Sequence, residues 1–278
     1  MSLNATYHLK SKMMAGKKVY GIEIGEKNDP EKTVKTLKKF GYDFIWLEFE
    51  NTLLDKESAA EYIRVAHEIG MPIVMRPEDK TAHIRPYIIA GINGVIPSQV
   101  ETVEDVAHIL REVYFPPIGH RDAYVGAHPY SIDYQKIDNM PLHTLIEYVN
   151  NNTLVMPLCE RLACIRNLPQ ILRLDGVTGA IFAPYDLSFD ILSVRALTTD
   201  KKTLYEDILY SDLMMEKVRQ MVTICKEAGK VAGIGVYPPK YMVEWAKIGY
   251  QLFIFHLVIN GNVDDFKAPI EELKSLIE

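Results

Sequence analysis

Two carboxylates in this chain, Glu160 and Asp186, come at the ends of apolar runs. Glu160 directly follows the run 154–159, and Asp186 comes shortly after the run 179–183. Apolar runs of this length, bounded by turn residues, are typical of buried parallel strands. Two carboxylates at the carboxyl ends of neighbouring strands form a pocket of hard oxygen ligands, which favours Mg²⁺ or Mn²⁺ over Zn²⁺. The sequence therefore predicts a divalent-metal site that uses Glu160 and Asp186.

Each of the two carboxylates also has a simpler interpretation. Glu160 has Arg161 and Arg166 nearby as ion-pair partners, and Asp186 has the position of a helix N-cap. Taken singly, these structural roles are as well supported as metal binding. The similar context of the two residues favours the metal site.

The rest of the chain alternates short apolar runs with longer amphipathic segments, as in parallel α/β folds. Eight strands, each followed by a helical segment, favour a (β/α)8 TIM barrel that forms one domain over residues 1–278. The stretch 115–152 contains no clear strand and is expected to be a long loop. The strand candidates are Tyr20–Ile24, Phe44–Phe49, Pro72–Met75, Gly94–Pro97, Leu154–Cys159, Gly179–Ala183, Ala232–Val236 and Leu252–Phe255. The helix candidates include Pro30–Phe40, Glu57–Ile69, Val103–Val113 and Asp212–Ala228.

The composition limits the class of partner. The chain has 278 residues and a net charge of -6, which argues against a nucleic-acid partner. No window approaches the roughly 18 apolar residues that span a membrane. Three cysteines at scattered spacing favour reduced thiols, and therefore a cytoplasmic protein. A small-molecule ligand is the expected partner.

Four segments, taken in order, resemble the HpcH/HpaI family of metal-dependent class II pyruvate aldolases. They are Val74-Met75-Arg76-Pro77, the stretch Tyr114 to Arg121 (similar to Tyr-Pro-Pro-x-Gly-x-Arg-Gly, with Asp122 for the last glycine), Leu158-Cys159-Glu160-Arg161 and Ala183-Pro184-Tyr185-Asp186-Leu187-Ser188. The resemblance runs from about Gly21 to about Leu257. It implies a TIM barrel whose last helix, in 264–277, is exchanged between subunits of a homo-oligomer: a dimer, trimer or hexamer.

The resemblance also implies a reaction, the cleavage of a 4-hydroxy-2-oxo acid to pyruvate and an aldehyde. This retro-aldol cleavage generates a pyruvate enolate, which a divalent metal stabilises as a Lewis acid. Arg76 is assigned to the same task, because a guanidinium near the enolate oxygen adds charge stabilisation. An ion pair with Glu78 or Asp79 is its structural alternative.

Candidate substrate-binding residues surround the second carboxylate. Backbone N–H groups around Tyr185 are expected to bind the pyruvate carboxylate, beside Ala183 and Pro184 and with Ser188 capping the following turn. Arg121, from the long loop, is a further candidate, with plain ion pairing as its alternative.

The chain departs from the family at its acid–base pair. The family pattern Asp-x-Glu-His reads Glu48-Phe49-Glu50-Asn51, so Glu50 is retained as a catalytic candidate and Asn51 replaces the histidine. The aspartate that partners this histidine is replaced by Ile89. Because asparagine has no titratable proton near neutral pH, we predict a bias toward oxo-acid decarboxylation, which reaches pyruvate enolate without removing a hydroxyl proton.

Several groups are candidates to replace the missing base. Glu23, between two isoleucines, is expected to face into the barrel, where burial would raise its pKa; a structural ion pair is the simpler interpretation. His120 or His128 from the long loop, or a hydroxide on the metal, are the other candidates.

Two further functions remain open at this point. One is a lyase of the citrate-lyase-β or malyl-CoA-lyase type, which acts on a thioester. The other is a non-catalytic protein that keeps affinity for a metal and an oxo acid after losing the acid–base pair.

Overall fold

The computed structural model describes residues 6, 8–25, 28–122, 140–192, 200, 211–235, 239–256 and 262–278. In this part of the chain, nine strands form one sheet in which every neighbouring pair is parallel. The strands are β1 (Val19–Ile24), β2 (Phe44–Glu48), β3 (Ile73–Arg76), β4 (Gly94–Val95), β5 (Leu154–Val155), β6 (Leu158–Cys159), β7 (Gly179–Phe182), β8 (Val231–Gly235) and β9 (Leu252–His256).

The sheet is curled, and its two outer strands are consecutive in the chain. The order across the sheet is β5-β4-β3-β2-β1-β9-β8-β7-β6. Only Met156 and Pro157 separate β5 from β6. On one side, Leu158 N donates to Pro97 O at 2.9 Å, and on the other Ile181 N donates to Pro157 O at 2.9 Å. The fold is thus a parallel-sheet α/β fold of the TIM-barrel type.

Helices connect the strands, and local capping signals set several of their ends. Asp29 accepts a hydrogen bond from Lys32 N at the start of the second helix, which ends at Gly41 with a left-handed φ of 88°. The helices are α1 (Leu9–Met14), α2 (Pro30–Phe40), α3 (Lys56–Ile69), α4 (Arg85–Ala90), α5 (Val103–Val113), α6 (Leu142–Asn152), α7 (Leu162–Ile171), α8 (Pro184–Leu192), α9 (Asp212–Glu227), α10 (Pro239–Ile248) and α11 (Lys267–Ile277), with a 3₁₀ turn at Val263–Phe266. None of these helices is long and apolar enough to cross a membrane.

Alternation along the strands separates two apolar layers. In β2, Phe44 and Trp46 belong to an inner cluster, whereas Ile45 and Leu47 pack in the layer beneath the helices. The inner cluster also takes in the first residues of several strands and two side chains of α1, so α1 covers the amino-terminal end of the sheet. Because side chains alternate with a period of two, the next inward position in β2 is Glu48. The same alternation brings charged side chains to the inside at the carboxyl ends of the strands.

The structure differs from the sequence-based expectation in the stretch 115–152. Its last part is the helix α6, where an apolar face formed by Leu145 and Val149 is buried. The helix was not predicted because asparagine, which occupies positions 150–152, is a poor helix former. Residues 123–139, which include His128, lie outside the described residues. Val236, the last residue of one strand candidate, also lies outside them.

The last helix packs against its own chain in the described structure. Ile270 and Leu273 of α11 are fully buried, and α11 contacts α2 and α10. Lys274 Nζ donates to Gly41 O at 2.8 Å. The face expected to bind another subunit is therefore covered here by the chain itself.

Candidate active site

A cavity of about 240 Å³ lies at the carboxyl ends of the strands. Its inner wall is apolar and formed by side chains of the inner cluster, while charged groups surround its mouth. Concave sites with a few convergent polar groups are typical of small-ligand binding. The lining residues are Glu23, Trp46, Asn51, Arg76, Leu158, Ile181, Ala183, Pro184, Tyr185, Asp186, Gly235 and His256.

Arg76, at the end of β3, is the buried cation of this cavity. Its Nε lies 2.6 Å from Glu48 Oε2 and 3.1 Å from Glu50 Oε2, so Arg76 forms ion pairs with both carboxylates. The N–H group at Nε is not aligned for a hydrogen bond with either oxygen. Its guanidinium carbon lies 5.5 Å from the centre of the Trp46 ring. Burial alone would lower the pKa of Arg76, but the carboxylates of Glu48, Glu23 and Glu50 raise it. The guanidinium therefore stays charged and is held from the β2 side.

Glu48 connects the end of β2 to Arg76. Its Oε1 accepts hydrogen bonds from the backbone N–H groups of Glu50 at 2.8 Å and Asn51 at 3.1 Å. The side chain is fully buried, and this burial raises the pKa of Glu48 to about 7, although the charge of Arg76 opposes the shift. One carboxylate thus fixes the position of the arginine and the backbone of the following turn.

Glu160, after β6, is a buried carboxylate that does not itself line the cavity, but the charges of Asp186 and Arg76, which do, act on it. It is 3 % exposed, and its Oε1 accepts a hydrogen bond from Gln99 N. Burial raises the pKa of Glu160 to about 7; the Gln99 N–H group opposes this shift, and the charges of Asp186 and Glu50 add to it. Gln99, with a left-handed φ of 52°, also donates from Nε2 to Glu50 Oε1 at 2.6 Å. It therefore connects two acidic side chains.

The acidic groups fit a divalent cation. Asp186, in the first turn of α8, lines the cavity, and its pKa is raised by desolvation and by the charge of Glu50, against the effect of Arg76. Glu160, Asp186 and Glu50 thus repel one another, and a bound cation would relieve this repulsion. Within the described ranges there is no cluster of three or more His, Cys, Asp or Glu suited to a metal. Two carboxylates that leave coordination positions for substrate and water are a donor set that Mg²⁺ accepts.

Comparison with known proteins identifies the family. The HpcH/HpaI aldolase/citrate lyase family model matches residues 28–244, most of the chain. This chain belongs to that family. It is accordingly a lyase of the class II aldolase and citrate lyase type, as the resemblance of its segments indicated.

The similarity to individual HpcH/HpaI proteins is distant but extends over nearly the whole chain. A 4-hydroxy-2-oxo-heptane-1,7-dioate aldolase of Shigella sonnei is 21 % identical over 246 residues, which cover 88 % of this chain and 86 % of that protein. The crystal structure of an HpcH/HpaI aldolase from Desulfitobacterium hafniense superposes with a TM-score of 0.77 at 22 % identity, covering 97 % of this chain and 96 % of the other. A citrate lyase β subunit from M. tuberculosis, complexed with oxaloacetate and magnesium, has a TM-score of 0.58 at 12 % identity, covering 96 % and 99 %.

The structure brings together most, but not all, of the residues expected to bind substrate. Ala183, Pro184 and Tyr185 line the cavity with Asp186. Ser188 is fully buried within α8 and donates to Tyr185 O at 2.6 Å, so its hydroxyl is used inside the helix.

Arg121 lies away from the cavity of its own chain. Its backbone N donates to Tyr114 O, and the hydroxyl of Tyr114 donates to Thr153 O, just before β5. Arg121 is therefore near the amino-terminal edge of the sheet, where its guanidinium carbon lies 4.4 Å from the centre of the Phe115 ring.

From the resemblance of its segments to the family pattern, Asn51 and Ile89 are expected at the positions of the acid–base pair. Asn51, which follows β2, lines the cavity and presents an amide to it. Ile89 belongs to the apolar α4 (Arg85–Ala90). Neither side chain can exchange a proton near neutral pH.

His256, which faces Glu23, is a site residue that was not predicted from the sequence. The register of β1 and β9 pairs these two residues, and His256 Nδ1 forms a hydrogen bond with Glu23 Oε2. Both line the cavity, and the His256 side chain is 53 % exposed. The strand candidate ended at Phe255; alternation of Leu252, Ile254 and His256 on the inward face was the signal that could have found it.

Proposed function

We propose that this chain is a divalent-metal-dependent carbon–carbon lyase that cleaves a 4-hydroxy-2-oxo acid to pyruvate and an aldehyde. One observation carries the proposal: a buried, charged Arg76 faces the same small cavity as the carboxylate of Asp186. The charges of both act on the buried carboxyl of Glu160. Family membership and the magnesium in a citrate lyase neighbour support it.

Glu160 and Asp186 would hold the cation, Mg²⁺ or Mn²⁺. When bound, it supplies Lewis acidity that polarises the 2-oxo group. Arg76, held by Glu48 and Glu50, places a fixed positive charge where negative charge develops on the substrate. Backbone N–H groups at the start of α8 would bind the substrate carboxylate, next to Ala183 and Pro184 in the cavity wall.

A second candidate reaction is decarboxylation of a small 2-oxo acid such as oxaloacetate. Asn51 favours it: this amide lines the cavity, and the resemblance to the family pattern assigns its position to a histidine. Decarboxylation leaves the same pyruvate enolate, but no hydroxyl proton has to be removed. A chain without a replacement base would therefore keep this activity and lose most retro-aldol activity.

Steady-state formation of pyruvate tests the proposal. The purified protein would be given a 4-hydroxy-2-oxo acid and, in parallel, oxaloacetate, with Mg²⁺ or Mn²⁺ and again with EDTA. We expect turnover that requires metal and is lost in Glu160→Gln and Asp186→Asn. Asp190→Asn is the matched control, because Asp190 lies one turn further along α8 and caps α7 through Leu162 N at 2.7 Å.

Other outcomes would identify the alternatives. Pyruvate or oxaloacetate binding without turnover of either substrate would indicate a non-catalytic binding protein. Release of coenzyme A from an acyl thioester, with no activity on free oxo acids, would indicate a lyase of the citrate-lyase-β type.

We also infer that the sheet closes into a (β/α)8 barrel. We further infer that the protein is a cytoplasmic homo-oligomer whose subunits exchange their last helices. Consecutive outer strands β5 and β6 support closure. The apolar face of α11 supports the exchange, since a partner's α11 could occupy the same position on α2 and α10. The three buried, free cysteines are consistent with a reducing compartment. Light scattering that gives a particle of 31.7 kDa, the mass of one chain, would contradict the oligomer.

A further inference from the structure

The active site contains a carboxylate–imidazole pair that the family's acid–base positions do not account for. Glu23 is the last residue but one of β1 and His256 is the last residue of β9, and the parallel register puts them side by side. Their side chains meet on the inward face through His256 Nδ1 and Glu23 Oε2. The two residues are 233 positions apart in the chain, so the contact depends on strand pairing.

The contact orients the imidazole for proton transfer. A carboxylate at Nδ1 favours the tautomer with the proton on Nδ1, which leaves the lone pair on Nε2. A Cβ added to Gly235 would lie 3.6 Å from His256 Nε2, so the glycine leaves the space next to this nitrogen open. Both the imidazole and Gly235 line the cavity. The basic nitrogen is thus accessible from the substrate side.

The surrounding charges keep the pair in its working ionisation states. Burial alone would lower the pKa of His256, but the charge and hydrogen bond of Glu23 raise it; Arg76 opposes the shift and Glu48 adds to it. Burial alone would raise the pKa of Glu23, but His256 and Arg76 lower it. Asp186, on α8, is a further charged group that interacts with His256. The carboxylate stays ionised beside a more basic imidazole.

We propose that His256, positioned by Glu23, is the general base and acid of this enzyme. It would replace the family's acid–base pair, to whose positions the resemblance assigns Asn51 and Ile89. This inference rests on the proposed lyase function. His256 is a catalytic residue, because its Nε2 would touch the reacting hydroxyl. Glu23 is a positioning residue, which orients the ring and stabilises the imidazolium. β1 lies between β2 and β9 in the sheet. The proposed proton-transfer group is therefore on β9, whereas the resemblance assigns the family's histidine to the end of β2.

The proposed step is balanced. His256 Nε2 takes the proton of the 4-hydroxyl group, and the O–H electron pair becomes the second bond of the aldehyde carbonyl. The C3–C4 bond breaks, and its electron pair forms the pyruvate enolate, next to the charge of Arg76. The imidazolium then returns its proton to C3, which gives pyruvate and neutral His256. Decarboxylation does not need the first of these transfers.

The kinetic test compares two reactions in the same variants. In His256→Gln, retro-aldol kcat should fall by about 10²–10⁴, the usual contribution of general acid–base catalysis, while oxaloacetate decarboxylation falls much less. Added imidazole should restore part of the retro-aldol activity of His256→Ala. Glu23→Gln should lower kcat with little change in KM and shift the acidic limb of the pH profile. His143→Gln, an exposed histidine on α6, is the matched control and should behave as wild type.

A measurement without turnover tests the pair itself. In a ¹⁵N NMR titration of the metal-free protein, His256, assigned by its loss in His256→Gln, should show a protonated Nδ1 when neutral and a pKa above the ordinary value. Glu23→Gln should lower that pKa. Both variants should still bind Mn²⁺, because its ligands are intact, and this also shows that they fold.

The outcomes separate the two levels of inference. Wild-type protein without metal-dependent turnover of either substrate would overturn the lyase proposal and the role of His256 with it. Wild-type turnover with unchanged retro-aldol activity in His256→Gln would overturn only the role of His256. A proton on Nε2 in the neutral ring, or retro-aldol and decarboxylation lost to the same extent in His256→Gln, would also overturn that role.

Discussion

Glu48 Oε2 lies 2.6 Å from Arg76 Nε, and the other oxygen of the same carboxylate accepts two backbone N–H groups of the turn after β2. The acceptor is completely buried. Arg76 is thus held by a side chain that is itself fixed to the backbone. Such a support determines where the guanidinium charge lies, although Glu48 does not line the cavity.

Glu48→Gln should lower lyase kcat by about 10- to 100-fold, the usual effect of losing a residue that orients a functional group. The amide keeps the shape but not the charge, so Arg76 loses its anchor on the β2 side. Steady-state kinetics on both oxo-acid substrates would measure the change. Glu61→Gln, which removes an exposed partner of Arg64 on α3, should leave kcat unchanged; an equal loss in both variants would contradict this account.

Arg76→Lys should be nearly as inactive as Arg76→Ala, with a loss of about 10²-fold or more. Nε of Arg76 lies within 3.1 Å of both Glu48 and Glu50, and a lysine ammonium lacks the planar guanidinium that keeps further N–H groups directed at substrate. The kcat of the two variants would be compared with their thermal unfolding. Full activity in Arg76→Lys would show that a point charge is sufficient.

The stability of the metal-free protein should depend on pH through Glu48. Its native pKa is raised to about 7 from an ordinary value of 4.5, so the native state holds a proton that the unfolded state releases. This contribution is complete below about pH 4.5 and is lost as the pH rises through 7. Urea unfolding in EDTA should therefore show wild type losing stability relative to Glu48→Gln between pH 5 and 8, on the order of 1–3 kcal/mol. A difference that is independent of pH, or of opposite sign, would refute the raised pKa.

Gly179→Ala should strongly destabilise the sheet. A Cβ at this position in β7 would lie 2.1 Å from Val231 O in β8, and backbone cannot move aside as a side chain does. We expect a loss of about 3 kcal/mol or more in the free energy of unfolding, at the upper end for overpacked cores. Gly229→Ala is the control: it has nothing within 4 Å and only a left-handed φ of 64°, so it should cost about 1 kcal/mol. Equal losses would show that the close approach of the strands is not the cause.

Local signals in the sequence predicted much of the fold. Apolar runs located most strands within one or two residues, and the helix candidates Pro30–Phe40 and Val103–Val113 have the same bounds in the structure. These signals depend only on residues that are neighbours in the sequence, so they predict strands and helices without knowledge of the tertiary structure. The helix α6 was missed, because tertiary burial of its apolar face outweighs the weak propensity of its asparagines.

The sequence by itself determined that Arg76, Glu160 and Asp186 come at the carboxyl ends of strands, because the two-residue period and parallel order force them to one edge of the sheet. Only the tertiary structure decided which groups meet there. The register of β1 and β9 pairs Glu23 with His256, and the direction of α5 carries Arg121 toward the opposite edge. Contacts between residues 233 positions apart depend on strand pairing across the whole sheet, which no local pattern records.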